Sequence, residues 1–212
     1  MPAGDGFDKR LCRTLVEDTL ADMEVELAEI RAVRLLADYP FPAGKRLRPI
    51  VFLLSNFSVR VERSADFRTD GRESRFAAAI ELLHEASLIH DDVVDHGDVR
   101  RGVESLQASR GRGLAVLIGD YMVFRAIKLL LEATTPPDLS IASDLADTAL
   151  EVAHGEIDEL QRYLRRHEEG PSLALDSYLE VISGKTAAFF AGAAEAGAAL
   201  AGAPPAAREV YR

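Results

Sequence analysis

Apolar positions recur every three to four residues over most of the chain, the spacing of one face of an α-helix. Between Asp8 and Ala37 they are Leu15, Leu20, Val25, Leu27, Ile30 and Leu35, which predicts a first long helix. Tyr39-Pro40-Phe41-Pro42-Ala43-Gly44 stops it in a rigid turn. A short helix over Arg48–Val59 follows, with Pro49 in its first turn. Residues 60–72 mix charge with small polar groups and read as a loop; Glu73–Asp95 reads as a long helix. The polar stretch His96–Gly113 carries no helical period. Further helices are predicted over 114–133, 139–167 and 172–200, separated by Thr135-Pro136-Pro137 and Gly170-Pro171. After Ala203-Pro204-Pro205-Ala206-Ala207, a terminus and turn, Arg208–Arg212 reads as the opening of another helix. No β alternation or tandem repeat is visible. The expected class is all-α, a bundle of long antiparallel helices with short connections.

Composition narrows this picture. The 212 residues suit one domain, or one domain and part of another. With 48% hydrophobic and 28% charged residues the chain reads as soluble and globular. Thr186–Pro204 is the most apolar stretch, but it is Ala/Gly-rich and broken by Glu195, so close helix packing is expected there in place of a transmembrane segment. A net charge of −10 argues against a general nucleic-acid binder. The single cysteine, Cys12, allows no internal disulfide and fits a reducing, cytoplasmic compartment. No cationic segment followed by an apolar run marks a signal peptide.

The chemistry concentrates at Asp91-Asp92-Val93-Val94-Asp95. Asp91 and Asp95 lie four apart and share a helix face, with Asp92 one step round. Three carboxylates on an otherwise apolar helix repel unless a cation joins them. Mg²⁺ bridging to an anionic ligand suits this, because it binds through one or two carboxylates plus phosphates. Cations gather in three other places: Gly44-Lys45-Arg46-Leu47-Arg48-Pro49, Arg100-Arg101-Gly102 and Gly184-Lys185-Thr186. Each has a plain reading. The first could be a solvated turn; Arg100 and Arg101 could pair with Asp95 and Asp98; Lys185 could snorkel from a core helix; His84 and His90 could be structural histidines. Their joint occurrence points to ligands carrying diphosphate.

In this order and at these spacings the set resembles the trans-isoprenyl diphosphate synthases, the polyprenyl synthetase family. The match runs from Gly44–Pro49 through Glu81-Leu82-Leu83-His84 to His90–Asp95, then Asp98–Gly102, Leu117–Tyr121, Gly155-Glu156-Ile157 and Val181–Ala187. The resemblance implies an isoprenoid-synthase-type helical bundle that joins isopentenyl diphosphate head to tail with an allylic diphosphate, working as a homodimer. Asp91 and Asp95, with Asp92 in support, would bind Mg²⁺ holding the allylic diphosphate, and Arg100 and Lys185 would touch that group. Lys45, Arg48, His84 and Arg101 would hold isopentenyl diphosphate, with Thr186 among the substrate-binding residues. Ala86 and Ser87, small and just upstream of the aspartates, would leave the product tunnel open for C20 or longer.

The chain also departs from the family pattern. The second aspartate-rich motif is not in it, so residues 1–212 are expected to form the N-terminal two thirds of a single helical prenyltransferase domain, C-terminally truncated and impaired alone. Val103-Glu104-Ser105 stands where Lys-Pro-Thr is usual, and Glu159 where Gln is often found. Two other readings therefore remain: a non-catalytic subunit in a heterodimer with a longer homologue, or a terpene cyclase-like enzyme. Lys45, Arg48 and His84 argue against the cyclase, which has no use for a second diphosphate site.

Overall fold

The computed structural model describes residues 9–32, 39–41, 44–61, 69–169 and 186–211. Helix α3 (Arg72–Val94) is the axis of the fold. Its residues include neither Gly nor Pro, and Gly71, with φ 81°, turns the chain into its first residue. Phe76, Ala77, Ala78, Ala79, Ile80 and Leu82 are fully buried, so its first half is enclosed nearly all round. Helices α1 (Lys9–Arg31), α2 (Leu47–Val61) and α5 (Arg112–Ala133) pack against it, and a short α4 (Leu106–Arg110) leads into α5.

Over the described residues the predicted helices form, with differences in detail; residues 33–37 of the first and 172–185 of the last lie outside the described residues. On α1 the buried stripe is Cys12, Val16, Thr19, Met23, Leu27 and Ile30, a cleaner helical repeat than the expected set. Val25 is 61% exposed, while Leu15 and Leu20 are only partly buried. A single turn, Pro136–Asp138, opens α6 (Leu139–Glu169) and is closed by a reciprocal Thr135–Asp138 cap. Helix α7 (Ala188–Leu200) lies against α2 and α6. At Gly197 a Cβ would overlap the Phe52 carbonyl, and Asn56 Nδ2 donates to the Gly197 carbonyl at 3.0 Å. Close helix packing, as expected for Thr186–Pro204, is therefore observed from Ala188 onward. Among the described residues no helix is long and apolar enough to cross a membrane. The chain then turns at Gly202, φ 80°, and a short α8 (Pro205–Arg208) opens with Pro205. That helix begins three residues before the expected start at Arg208.

His96–Gly113 is more ordered than its sequence suggests. Strands β1 (Val99–Arg100) and β2 (Val103–Glu104) form an antiparallel hairpin, pairing Val99 with Glu104 and Arg100 with Val103. Arg101 and Gly102, φ 52° and 82°, make its two-residue turn. Strands of two residues are too short to show alternation, so the sequence carries no signal for them.

Candidate active site

The aspartates occupy the last turn of α3. Asp95 ends the helix, its backbone N–H donating to the Asp91 carbonyl at 2.8 Å. Carboxylates are disfavoured there, because the unpaired carbonyls of a helix C-terminus already carry negative charge. The hairpin supplies the compensation. Gly97 N–H donates to the Asp92 carbonyl at 2.9 Å, and Ser105 Oγ and Gln107 Nε2 both donate to the Gly97 carbonyl. This fixed return directs Arg100 onto the helix end.

Arg100 Nε lies 2.8 Å from each carboxylate oxygen of Asp92, and its terminal nitrogen lies 2.7 Å from one of them. Asp92 is buried, its side chain 8% exposed. The arginine thus pairs with Asp92; the plain reading had paired it with Asp95 or Asp98. Its hydrogen bond to Asp92 raises the Arg100 pKa. Asp91 is half-buried and Asp95 exposed, on the same helix face and one turn apart. Among the described residues no three His, Cys, Asp or Glu side chains converge into a ready-made metal cage. Two same-face carboxylates suit Mg²⁺ shared with phosphate oxygens. Asp92 suits it less, because both its oxygens are engaged by Arg100.

Three distant segments meet beside these aspartates. A Cβ at Gly44 would lie 2.9 Å from Arg101 Nη1 and 3.2 Å from Glu81 Oε1, so the missing side chain lets the basic turn, the hairpin and α3 touch. Tyr39, Phe41, Leu88 and Ile89 wall an open cleft, with Glu81, His84, Glu85, Asp92, Arg100 and Arg101 also facing it. The phenol of Tyr39 donates to the Glu104 carbonyl at 3.3 Å, tying the cleft rim to the hairpin. His84 is pushed down to about 3, first by burial, then by Arg48, Arg101, Arg100 and Arg46. A neutral imidazole surrounded by guanidinium groups marks a region of positive potential. Burial lowers the Arg48 pKa most; the charge of Glu81 pulls it back up, and Arg101 adds a smaller lowering.

The other expected site residues are placed as follows. Lys45 is exposed at the start of the basic turn, and Thr186 is exposed just ahead of α7. Ala86 is buried and Ser87 half-buried; Ser87 sits one turn before Asp91 on its face, with Oγ donating to the His84 carbonyl. Lys185 lies outside the described residues. His90 Nε2 contacts the Val116 carbonyl at 3.3 Å and Asp120 Oδ1 at 3.4 Å, a link between α3 and α5.

Arg46 is the charged residue of the basic turn to which the resemblance assigns no role. Arg46, at φ 52°, places Nε 2.6 Å from Glu24 and Nη1 2.5 Å from Glu81 and 3.1 Å from Glu85. Arg31 also pairs with Glu85 and lies under the Phe41 ring, 5.0 Å from its centroid. Burial opposes the charge on Arg46, but hydrogen bonds to Glu24 and Glu81 outweigh it and raise its pKa. The network bolts the turn to α1 and α3. Its sequence signal is the pair Glu81 and Glu85, one turn apart on an apolar helix.

The Polyprenyl synthetase family model matches residues 31–212. The chain belongs to this family. It is 37% identical over 161 residues to the all-trans-nonaprenyl-diphosphate synthase (geranyl-diphosphate specific) of Rhodobacter capsulatus, covering 76% of this chain and 45% of that protein. It is 35% identical over 169 residues to heptaprenyl diphosphate synthase component 2 of Geobacillus stearothermophilus, covering 79% and 48%. The crystal structure of polyprenyl synthase from Caulobacter crescentus CB15, complexed with calcium and isoprenyl diphosphate, superposes with a TM-score of 0.78 at 33% identity, covering 99% of this chain and 61% of that one. The chain spans about half the length of the curated relatives it matches. The isoprenoid-synthase helical fold read from the sequence is thereby established.

Proposed function

We propose that this chain carries the isopentenyl-diphosphate site and the first aspartate-rich metal site of a long-chain prenyl diphosphate synthase. The observation that carries the reading is the meeting of the basic turn, His84 and the Arg100–Arg101 hairpin beside the Asp91–Asp95 face. Lys45, Arg48, His84 and Arg101 bind and orient isopentenyl diphosphate, with His84 donating from one nitrogen as a neutral imidazole. Asp91 and Asp95 hold Mg²⁺, and Asp92 aims Arg100 at the allylic diphosphate. Mg²⁺ held there would supply positive charge against the departing diphosphate. The allylic C–O bond breaks, the alkene of isopentenyl diphosphate attacks the allylic carbon, and a proton leaves to the released diphosphate. Lys185 and Thr186 complete the contacts to the allylic group. The small Ala86 and Ser87 set the product at C20 or longer.

A second copy of the chain is assigned to the outer face of α5. Leu117, Phe124 and Leu131 fall seven apart there and are 65%, 68% and 59% exposed. A heptad-spaced apolar stripe of this kind is suited to pairing with another helix. The name heptaprenyl diphosphate synthase component 2 favours a second reading, in which a longer homologue takes the same face.

Incubation with Mg²⁺, farnesyl diphosphate and labelled isopentenyl diphosphate tests the reading. From the chain alone incorporation well below that of a full-length relative is expected, with any labelled product C20 or longer and none from Asp91→Ala or Asp95→Ala. No incorporation, together with no binding of isopentenyl diphosphate, would overturn it.

A further inference from the structure

The two arginines of the basic turn are held in opposite ways. Arg46 faces Glu24, Glu81 and Glu85, which offset its charge. The Arg48 guanidinium instead lies over two aromatic faces, 5.2 Å from the Phe189 centroid and 4.8 Å from that of Phe190. Among the described residues no carboxylate reaches ion-pair distance of Arg48. Its Nε is buried without a hydrogen-bond partner, as expected for a guanidinium oriented by stacking. Phe189 also meets His84 edge-on, with centroids 6.5 Å apart and planes at 78°. The rings therefore touch two of the groups assigned to isopentenyl diphosphate.

A ring face attracts a guanidinium through its quadrupole and brings no net negative charge. A carboxylate in the same place would orient the arginine equally well, but would cancel the potential that an anion needs. We propose that Phe189 and Phe190 are positioning residues, which fix the Arg48 guanidinium beside His84 while leaving its full charge for a diphosphate group. This rests on the diphosphate-binding reading above. It gives a role to residues just beyond Thr186.

The test is calorimetric titration of inorganic pyrophosphate, and separately isopentenyl diphosphate, without magnesium. The proteins are the 212-residue chain and its Phe190→Leu, Phe190→Tyr and Arg48→Met variants. Phe190→Leu keeps bulk and removes the ring face; roughly three- to thirtyfold weaker binding is expected. Phe190→Tyr restores the face and is expected to bind within about twofold of the parent. A purely structural role would not separate Leu from Tyr at equal thermal midpoints. If Phe190→Leu does not fold, Phe190→Met carries the same comparison. Binding weakened by Arg48→Met but unchanged by Phe190→Leu would overturn the positioning role alone, as would Tyr binding no better than Leu. A parent chain that binds neither probe would overturn the diphosphate site and the positioning role together.

Discussion

His84 and Arg46 show how single residues carry the charge balance of the site. In an unfolded chain an imidazole titrates near ~6.5; in the fold His84 is pushed down to about 3 by burial and by neighbouring arginines. Below about pH 6.5 the unfolded chain therefore binds a proton that the native chain refuses, and stability present above that pH is lost as the pH falls toward 3. In His84→Gln this loss should disappear, so its urea midpoint should fall less than the parent's between about pH 7 and about pH 4.5. Parallel slopes would contradict a neutral, half-buried His84. Removing Arg46 leaves the buried Glu81 and the half-buried Glu85 with fewer partners, and Arg46→Met should cost about 3 kcal/mol in urea denaturation. A loss below about 0.5 kcal/mol would place the network among inconsequential surface pairs.

At the scale of elements, helix packing depends on where a side chain is absent. Gly197 on α7 faces the Phe52 carbonyl of α2, and backbone cannot swing aside as a side chain can. Gly197→Ala should destabilise the protein by about 2 kcal/mol. Gly113, in the first turn of α5, has open space where a Cβ would go. Gly113→Ala should be neutral or stabilising by up to ~1 kcal/mol. Thermal melting of the two variants checks both, and equal effects would contradict the packing described. These elements were also unequally legible in the sequence. Helices of many residues declare themselves by period, and α3 and α5 lie within two residues of their expected bounds. The hairpin does not, because two-residue strands have no period and Arg101-Gly102 is not one of the common turn pairs. The same limit hid part of the site. The individual basic residues are visible in the motifs, but Arg46 meeting Glu24, or Arg48 stacking on Phe189 and Phe190, depends on long-range folding that spacing cannot reveal.

Over the whole molecule, the site faces one side of α3 and the apolar stripe of α5 faces away from the core. If a second copy covers Leu117, Phe124 and Leu131, the chain should sediment at about twice its 23.1 kDa, and Phe124→Asp should shift it toward the monomer. A monomeric parent would remove that assignment without touching the site. The central claim is that Asp91 and Asp95 recruit magnesium for an allylic diphosphate while the basic cluster binds its own diphosphate without metal. Titration of a non-reacting farnesyl thiodiphosphate with and without Mg²⁺ tests it most directly. Tight binding only with Mg²⁺, lost in Asp91→Asn and Asp95→Asn, with isopentenyl diphosphate binding unchanged in both variants, is the expected result. Allylic binding that ignores magnesium, or survives both substitutions, would contradict the account.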